Sequence, residues 1–226
     1  NKGNFVMFKI KRFDELFKVG SAKRVLKSQW KEEGVPFYRG REVTKLSMNG
    51  SVDNQLFITK THFEELKKKH GVPNVGDIIM TAIGTIGNAY IVKSNDEFYF
   101  KDASVLWLNR TSNILSKYVD YFIKSDLFKS QLDVGNGATV DTLTIKKLSS
   151  IKIIVPSIEE QKRTVAKLDA AFAEINKTID TTINNYKNVK NITQLFFNNL
   201  KNQNINNLCE NNIGELCDLM TGGTPN

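Results

Sequence analysis

One stretch of the sequence, residues 157–201, contains no Gly and no Pro and carries an apolar residue every three or four positions. It begins with Ser157 and has Glu160 three residues later, the capping box typical of a helix start. At about 1.5 Å per residue, an uninterrupted helix here is roughly 65 Å long. A domain of about 150 residues has a radius of gyration of only about 15 Å and cannot cover such a stripe. The stretch therefore predicts a helix that pairs with a second helix.

The apolar residues of this stretch follow the spacing of a coiled-coil seam. Ile183 comes four residues after Ile179, where a strict heptad would place residue 182, so the phase of the seam drifts at this point. The residues predicted to form the dimerisation seam are Val165, Leu168, Phe172, Ile175, Ile179, Ile183, Tyr186 and Phe196.

The composition bounds the class of protein. The chain has 226 residues, 40% hydrophobic and 25% charged, which suits one folded domain plus an appendage. No apolar run approaches the roughly 18 to 20 residues of a membrane span, and no signal-peptide pattern opens the sequence. Cys209 and Cys217 lie in a polar tail without His or Cys neighbours at metal spacing. We therefore expect a cytoplasmic protein with no membrane segment and no metal site.

The net charge of +8 is concentrated in the first part of the chain. Residues 1–156 hold 25 basic and 16 acidic residues, residues 157–201 hold 7 and 5, and residues 202–226 hold none and 3. Excess positive charge on a globular part suits a polyanion such as nucleic acid. A Lys-rich background composition explains the same numbers, so charge alone leaves both interpretations open.

Secondary-structure signals predict an α+β fold. Strands and hairpins dominate residues 5–110, helices are expected at residues 59–69 and 117–132, and residues 151–155 form a further strand. We expect a strand-rich globular domain at residues 1–156, the long helix at 157–201 and an Asn-rich linker at 202–212.

Basic residues at predicted turns are the first candidate DNA contacts. Lys23 and Arg24 follow a short apolar element, and Arg39 and Arg41 flank Gly40, which we expect to bend the backbone between them. Arginine binds phosphate or guanine, and Tyr38 is a neighbouring stacking or hydroxyl group. The alternative for Arg39 and Arg41 is a strand edge with solvated charges.

Two glycine-containing loops supply further candidates. Gly84-Thr85-Ile86-Gly87 predicts a tight reversal between two strands, whose backbone N–H groups can face an anion. A second loop spans residues 135–139. An ordinary hairpin turn and a simple connecting loop are the alternatives. The residues singled out in these loops as candidate contacts to a polyanion such as nucleic acid are Thr81, Thr85, Gly87, Asn136 and Thr139.

No motif of a self-sufficient catalyst is present. The sequence lacks a G-x-x-x-x-G-K-S/T loop, an H-E-x-x-H pair and a G-x-S-x-G elbow, and none of its four prolines begins Pro-Pro or Pro-Asp. His62 and His70 are predicted to be surface residues. We expect a protein that is not an enzyme.

Four motifs occur along the chain in a definite order. They are Val35 to Val43, Val75 to Ile79 with Gly84 to Gly87, Gly137 to Val140, and the strand at 151–155 that leads into the long helix. Together they resemble the DNA specificity (S) subunit of type I restriction-modification enzymes. Residues 213–226 resemble the opening of a second recognition domain, because Ile213-Gly214-Glu215-Leu216 repeats Phe13-Asp14-Glu15-Leu16 in part.

The resemblance implies a target-recognition domain followed by the first of two spacer helices. It implies double-stranded DNA, methyltransferase (M) subunits and, through them, restriction (R) subunits as partners. No cofactor is expected in this chain, since S-adenosylmethionine, ATP and Mg would belong to the partner subunits. With one recognition domain, the resemblance implies a truncated form or a half-subunit that forms a homodimer through its helix and reads a two-fold symmetric site.

Other functions remain open at this point. The chain can be an assembly protein whose helix mediates oligomerisation without specific DNA binding. It can also be an inhibitory fragment that occupies M subunits without productive recognition of a sequence.

Overall fold

A computed structural model describes residues 8–132 and 142–203 of the chain. The chain divides into two compact units, Asn1–Leu168 and Asp169–Asn226. The predicted α+β class is confirmed, with a strand-rich first unit and one long helix that begins there.

The described residues form nine strands and six α-helices. The strands are β1 (Lys9–Arg12), β2 (Phe17–Ser21), β3 (Val35–Tyr38), β4 (Phe57–Ile58), β5 (Ile78–Thr81), β6 (Ala89–Ile91), β7 (Tyr99–Phe100), β8 (Val105–Arg110) and β9 (Lys152–Val155). The helices are α1 (Gly40–Asn49), α2 (Lys60–His70), α3 (Ser116–Lys124), α4 (Asp126–Leu132), α5 (Ile145–Ser150) and α6 (Ile158–Gln203).

The central sheet is antiparallel and has the strand order β2-β8-β5-β6. Successive residues of a strand point to opposite faces, so β8 serves two layers at once. Leu106 and Leu108 pack into a large core on one face, with Phe13 and Phe128. Val105 and the partly buried Trp107 pack on the other face, against a core that includes Val43 of α1.

A second, three-stranded sheet lies beside this one and has the order β4-β3-β7. β3 pairs antiparallel with β4 and parallel with β7. Phe63 and Leu66 of α2 cover it in a third core. Thr59 begins α2 by accepting the His62 N–H, and Gly71 ends it with φ 78°, close to the bounds of the helix predicted at residues 59–69.

A two-stranded ladder joins the two ends of the described first unit. β1 pairs antiparallel with β9 in a register that sets Lys9 against Val155 and Arg12 against Lys152. The chain therefore enters the domain beside the point where it leaves for α6.

Two local predictions are corrected by the structure. The helix expected at residues 117–132 is two helices, because Ser125 is extended (φ −82°, ψ 158°) and ends α3. α4 consequently turns Leu127 outward, where it is 65% exposed instead of sharing one apolar side with Phe122. Gly40 was expected to bend the backbone between two arginines, but it is the first residue of α1.

Asp77 of the Val75-Gly76-Asp77 turn ties the central sheet together. Its side chain is buried and accepts hydrogen bonds from the Asn74 N–H (2.8 Å), the Trp107 Nε1–H (2.9 Å) and the Arg110 N–H (2.9 Å). Two of these donors belong to β8 and one to the turn before β5. A carboxylate with three donors is satisfied despite its burial, and it fixes where β5 starts against β8.

Glu42 is the second buried acidic residue that organises the backbone. It accepts the Arg39 N–H (3.0 Å), and so closes the first turn of α1, and it also binds the Arg39 and Arg41 guanidinium groups. Burial by itself raises the pKa of the Glu42 carboxyl, but the hydrogen bonds from Arg39 and Arg41 outweigh it, and the pKa lies below its ordinary value.

We expect Asp77→Ala to lower the free energy of unfolding by about 3 kcal/mol, because it leaves three inward donors without an acceptor. Urea unfolding followed by circular dichroism measures this change. Asp53→Ala is the control, since Asp53 is exposed, and its effect should stay within about 0.5 kcal/mol. Equal effects of the two variants would show that Asp77 does not organise the sheet.

We expect Glu42→Gln to remove part of the acid sensitivity of the fold. A carboxyl whose pKa is lowered on folding stabilises the folded state at pH values above the ordinary pKa that it has in the unfolded chain. That contribution is lost as the pH falls through the lower folded pKa. The melting temperature should therefore fall less between pH 7 and pH 3 for Glu42→Gln than for the control Glu33→Gln, in which an exposed carboxyl is changed. Parallel declines would contradict the prediction.

Candidate nucleic-acid interface

The segment from residue 16 to residue 31 carries five basic residues and no acidic one. It contains β2 and the chain that follows it. Hydrogen bonds and core packing hold its backbone in place. Ser21 Oγ donates to the Val105 carbonyl (2.7 Å), the Lys23 N–H donates to the Tyr99 hydroxyl (2.9 Å), and Val25 is buried in the third core. Lys23 and Arg24 themselves are exposed. The backbone is thus held in place while the cationic side chains face solvent.

Lys23 and Arg24 are neighbours in sequence but line two different clefts. Lys23 borders a half-open cleft of about 530 Å³ on the central sheet, which we call the β2–β8 cleft. Its walls also carry Lys18, Asn109 and His70. His70 is exposed, as expected for a surface histidine.

Arg24 borders the second cleft, of about 280 Å³, together with Lys27 and Lys101. One acidic residue, Asp102, also lines it. The sequence predictions singled out neither Lys27 nor Lys101. Lys27 could have been found from the run of basic residues without acids, whereas Lys101 comes from the turn before β8 and is brought here only by the fold.

Arg39 and Arg41 are engaged with the protein itself. Both form ion pairs with Glu42, and their side chains are 24% and 57% exposed, respectively. Arg41 Nη2 also lies 3.5 Å from Gln55 Oε1. Because Glu42 is buried, releasing these guanidinium groups would leave a buried carboxylate without its two ion-pair partners. DNA contact by Arg39 and Arg41 stays a prediction, and Arg41 is the more accessible of the two.

The predicted reversal after β5 is present, and its glycines have the left-handed φ values of 73° at Gly84 and 92° at Gly87. Thr81 was predicted to contact DNA there, but the structure buries it at 1% exposure. Its hydroxyl donates to the Thr85 carbonyl (2.5 Å) and accepts the Asn88 N–H (3.1 Å). Thr81 therefore shapes the turn, while Thr85 lies at the surface.

The fold brings other candidate segments to this reversal. Asn88 Nδ2 donates to Thr44 Oγ1 of α1 (3.0 Å), so the turn sits against the helix that Arg39 and Glu42 begin. Ile83 pairs with Thr142, and the Leu143 N–H donates to the Ala82 carbonyl (2.7 Å). Asn136 and Thr139 lie outside the described residues, and their DNA contact stays a prediction.

The start of α6 is anchored in the first unit. Ser157 Oγ accepts the Glu160 N–H (3.3 Å), which confirms the predicted helix start. Gln161 is buried, accepts the Leu115 N–H (3.0 Å) and donates to the Pro156 carbonyl (3.0 Å). The helix continues to Gln203, two residues beyond the predicted end.

The predicted seam of α6 is half-buried at its start and exposed beyond it. Val165 and Leu168 are half-buried in the first unit. The exposed fractions of the later seam residues are 46% for Phe172, 52% for Ile175, 49% for Ile179, 46% for Ile183, 72% for Tyr186 and 59% for Phe196. These side chains present a long apolar surface.

Among residues 8–132 and 142–203, no group of three or more His, Cys, Asp or Glu side chains is placed to hold a metal ion. Within the same ranges, no helix combines the length and the apolar character needed to cross a membrane.

Known proteins similar to this chain share one description. Residues 6–185 match the family described as Type I restriction modification DNA specificity domain. A candidate type I restriction enzyme specificity subunit from Haemophilus influenzae is 31% identical over 165 residues, which cover 72% of this chain and 40% of that protein.

Solved structures share the fold. One of them describes complex assembly and conformational transition of the type I R-M system. It matches with a TM-score of 0.63 and 16% identity, over 86% of this chain and 46% of that one. The HsdS subunit from Thermoanaerobacter tengcongensis matches with a TM-score of 0.54 and 17% identity, over 77% and 40%.

The chain therefore spans less than half the length of these relatives. The family match nevertheless covers most of the chain, and the alignment with the Haemophilus influenzae relative covers 72% of it. Proteins of this family are non-catalytic specificity subunits, in agreement with the sequence prediction. This chain belongs to the family of type I restriction-modification DNA specificity domains.

Proposed function

We propose that this chain reads one half of a bipartite DNA site and docks methyltransferase subunits in a type I restriction-modification complex. The observation that carries the proposal is the segment at residues 16–31, which has five basic residues and no acidic one and belongs to a domain of the DNA specificity family. Its cations border two clefts on the protein surface, where a polyanion can approach.

Adenine methylation and DNA cleavage are assigned in this proposal to the partner subunits. S-adenosylmethionine, ATP and Mg would be bound there, and the chain described here contributes recognition and position. The restriction subunits would be reached through the methyltransferase subunits, and the complex would act on double-stranded DNA in the cytoplasm.

The long helix has a separate role in the proposal. Its exposed seam from Phe172 to Phe196 would pack against the antiparallel seam of a second copy of this chain. Two recognition domains would then be held at a distance that the paired helices define, and the DNA half-sites would be read with two-fold symmetry.

An assembly or inhibitory role without sequence-specific DNA binding is the second candidate. It is favoured by the same apolar seam, since a seam can hold partners without any DNA contact. The two candidate functions differ in whether this chain gives the methyltransferase subunit sequence-selective activity.

We expect the chain to co-purify with its methyltransferase subunit and to confer methylation at one defined sequence. Methylome sequencing of cells that express both proteins measures this directly, and cells with the methyltransferase subunit alone are the control. DNA binding by the purified complex should weaken steeply as salt rises, because phosphate contacts release counterions. Co-purification without any selective methylation would favour the assembly or inhibitory role.

We expect the purified chain to be a dimer in light scattering, with twice its mass of 25.6 kDa. Changing Ile175 and Ile179 to Glu should weaken dimerisation more than about 100-fold, because each Ile loses about 2 kcal/mol or more of apolar burial. The control adds the same two carboxylates on the opposite side of the helix, as Lys177→Glu with Thr181→Glu. A monomeric wild-type chain, or equal effects of the two double variants, would refute pairing through this seam.

A further inference from the structure

The central sheet leaves one part of its second face open. On β2 and β8 the register pairs Lys18 with Asn109 and Gly20 with Trp107, and these residues alternate with Leu106 and Leu108 of the large core. Trp107 is packed against the second core, whereas Lys18 is exposed and Asn109 is half-buried. The β2–β8 cleft begins where the covering layer ends, over the β2 edge of the sheet.

The side chains around this cleft have unused hydrogen-bonding capacity. The cleft is lined by Lys18, Lys23, His70, Asn74 and Asn109, whose side chains make no hydrogen bond or ion pair with another described residue. This distinguishes them from Arg39 and Arg41, whose guanidinium groups are bound to Glu42. Polar groups that are left unpaired on the surface of a folded domain are available to a ligand.

The floor of the cleft leaves room for that ligand. A Cβ atom built on Gly20 meets no other atom within 4 Å, and the backbone of Gly20 has no left-handed φ. The glycine is therefore not required by the protein's own packing or backbone geometry. Its effect is to lower the floor of the cleft between Lys18 and Lys23.

The chemistry of the walls fits base edges better than it fits phosphate alone. An amide such as that of Asn109 offers a donor and an acceptor side by side, the pattern that pairs with the N6 and N7 positions of adenine. A lysine donates to the O6 and N7 positions of guanine, and none of the described residues that line the cleft carries a carboxylate. Phosphate binding by itself needs only cations and backbone N–H groups.

We infer that the β2–β8 cleft is where the base edges of the DNA half-site are read. Lys18 and Asn109 are the specificity-determining residues, and Lys23 at the rim binds the adjacent backbone phosphate. This inference rests on the proposed function and assigns the recognition of sequence to Lys18 and Asn109, neither of which was among the candidates from the sequence.

The test uses the complex of the full chain with its methyltransferase subunit and duplex DNA of the site found by methylome sequencing. Asn109→Ala should lower discrimination against a wrong base at one position by about 5- to 150-fold, as should Lys18→Ala at another. Lys23→Ala should weaken binding to all sequences alike and reduce the salt slope by about 1.

Gly20→Val provides a variant that blocks the cleft without removing a polar group. Because space is open above Gly20 and valine suits a strand, we expect unchanged thermal unfolding but at least about 10-fold weaker binding to the specific site. Lys152→Ala is the charge-matched control for Lys18→Ala and Lys23→Ala, since Lys152 is exposed on the separate β1–β9 ladder.

The outcomes separate this inference from the proposed function. Selective methylation by the wild type that persists unchanged in Lys18→Ala, Asn109→Ala and Gly20→Val would overturn the cleft assignment and leave the proposed function standing. If Lys18→Ala and Asn109→Ala weakened binding to all DNA sequences equally, the inference would also be overturned, because the cleft would then bind only phosphate. Absence of selective methylation in the wild type would overturn both.

Discussion

The pairing of β8 with β2 on one side and β5 on the other is the contact on which the rest of the domain depends. β8 contributes alternate side chains to two cores and two backbone edges to two neighbouring strands. Asp77 adds a fixed start for β5 by binding Trp107 Nε1–H and the Arg110 N–H. The same strand carries Asn109 into the cleft, so the packing of the core beneath it sets the position of this proposed recognition residue.

The basic residues considered for DNA contact fall into two physical classes. Arg39 and Arg41 neutralise Glu42, whose burial would otherwise be costly, and this use fixes the start of α1. Lys18, Lys23, Arg24 and Lys27 lie on a segment without acids and border open clefts. Residues of both classes add the same charge to the chain. Only those of the second class form no ion pair with another described residue. The distinction matters for recognition, because a cation already paired with a buried carboxylate gains less from a phosphate.

Much of the local structure could be predicted from the sequence. The capped start of α6, the reversal between Gly84 and Gly87 and the end of α2 at Gly71 each depend on contacts between residues close in sequence. Predictions that needed distant partners were less complete. Thr81 looked like a surface hydroxyl, and its burial follows from packing of the turn against α1 and the chain after residue 142. The break at Ser125 could not be predicted either, because no Gly or Pro lies beside it in the sequence. The break allows Phe128 and Leu132 to pack in the large core.

The sequence by itself determined the long helix, its apolar seam, the α+β class and the family, because helix periodicity, caps and the order of motifs are local properties of the chain. Only the tertiary structure decided which polar residues are available to DNA. Lys18 and Asn109 are far apart in sequence and become partners across β2 and β8, with His70 brought to the same cleft from the end of α2. A surface of this kind arises from strand register and from what covers a sheet face, and neither is written in the spacing of residues along one segment.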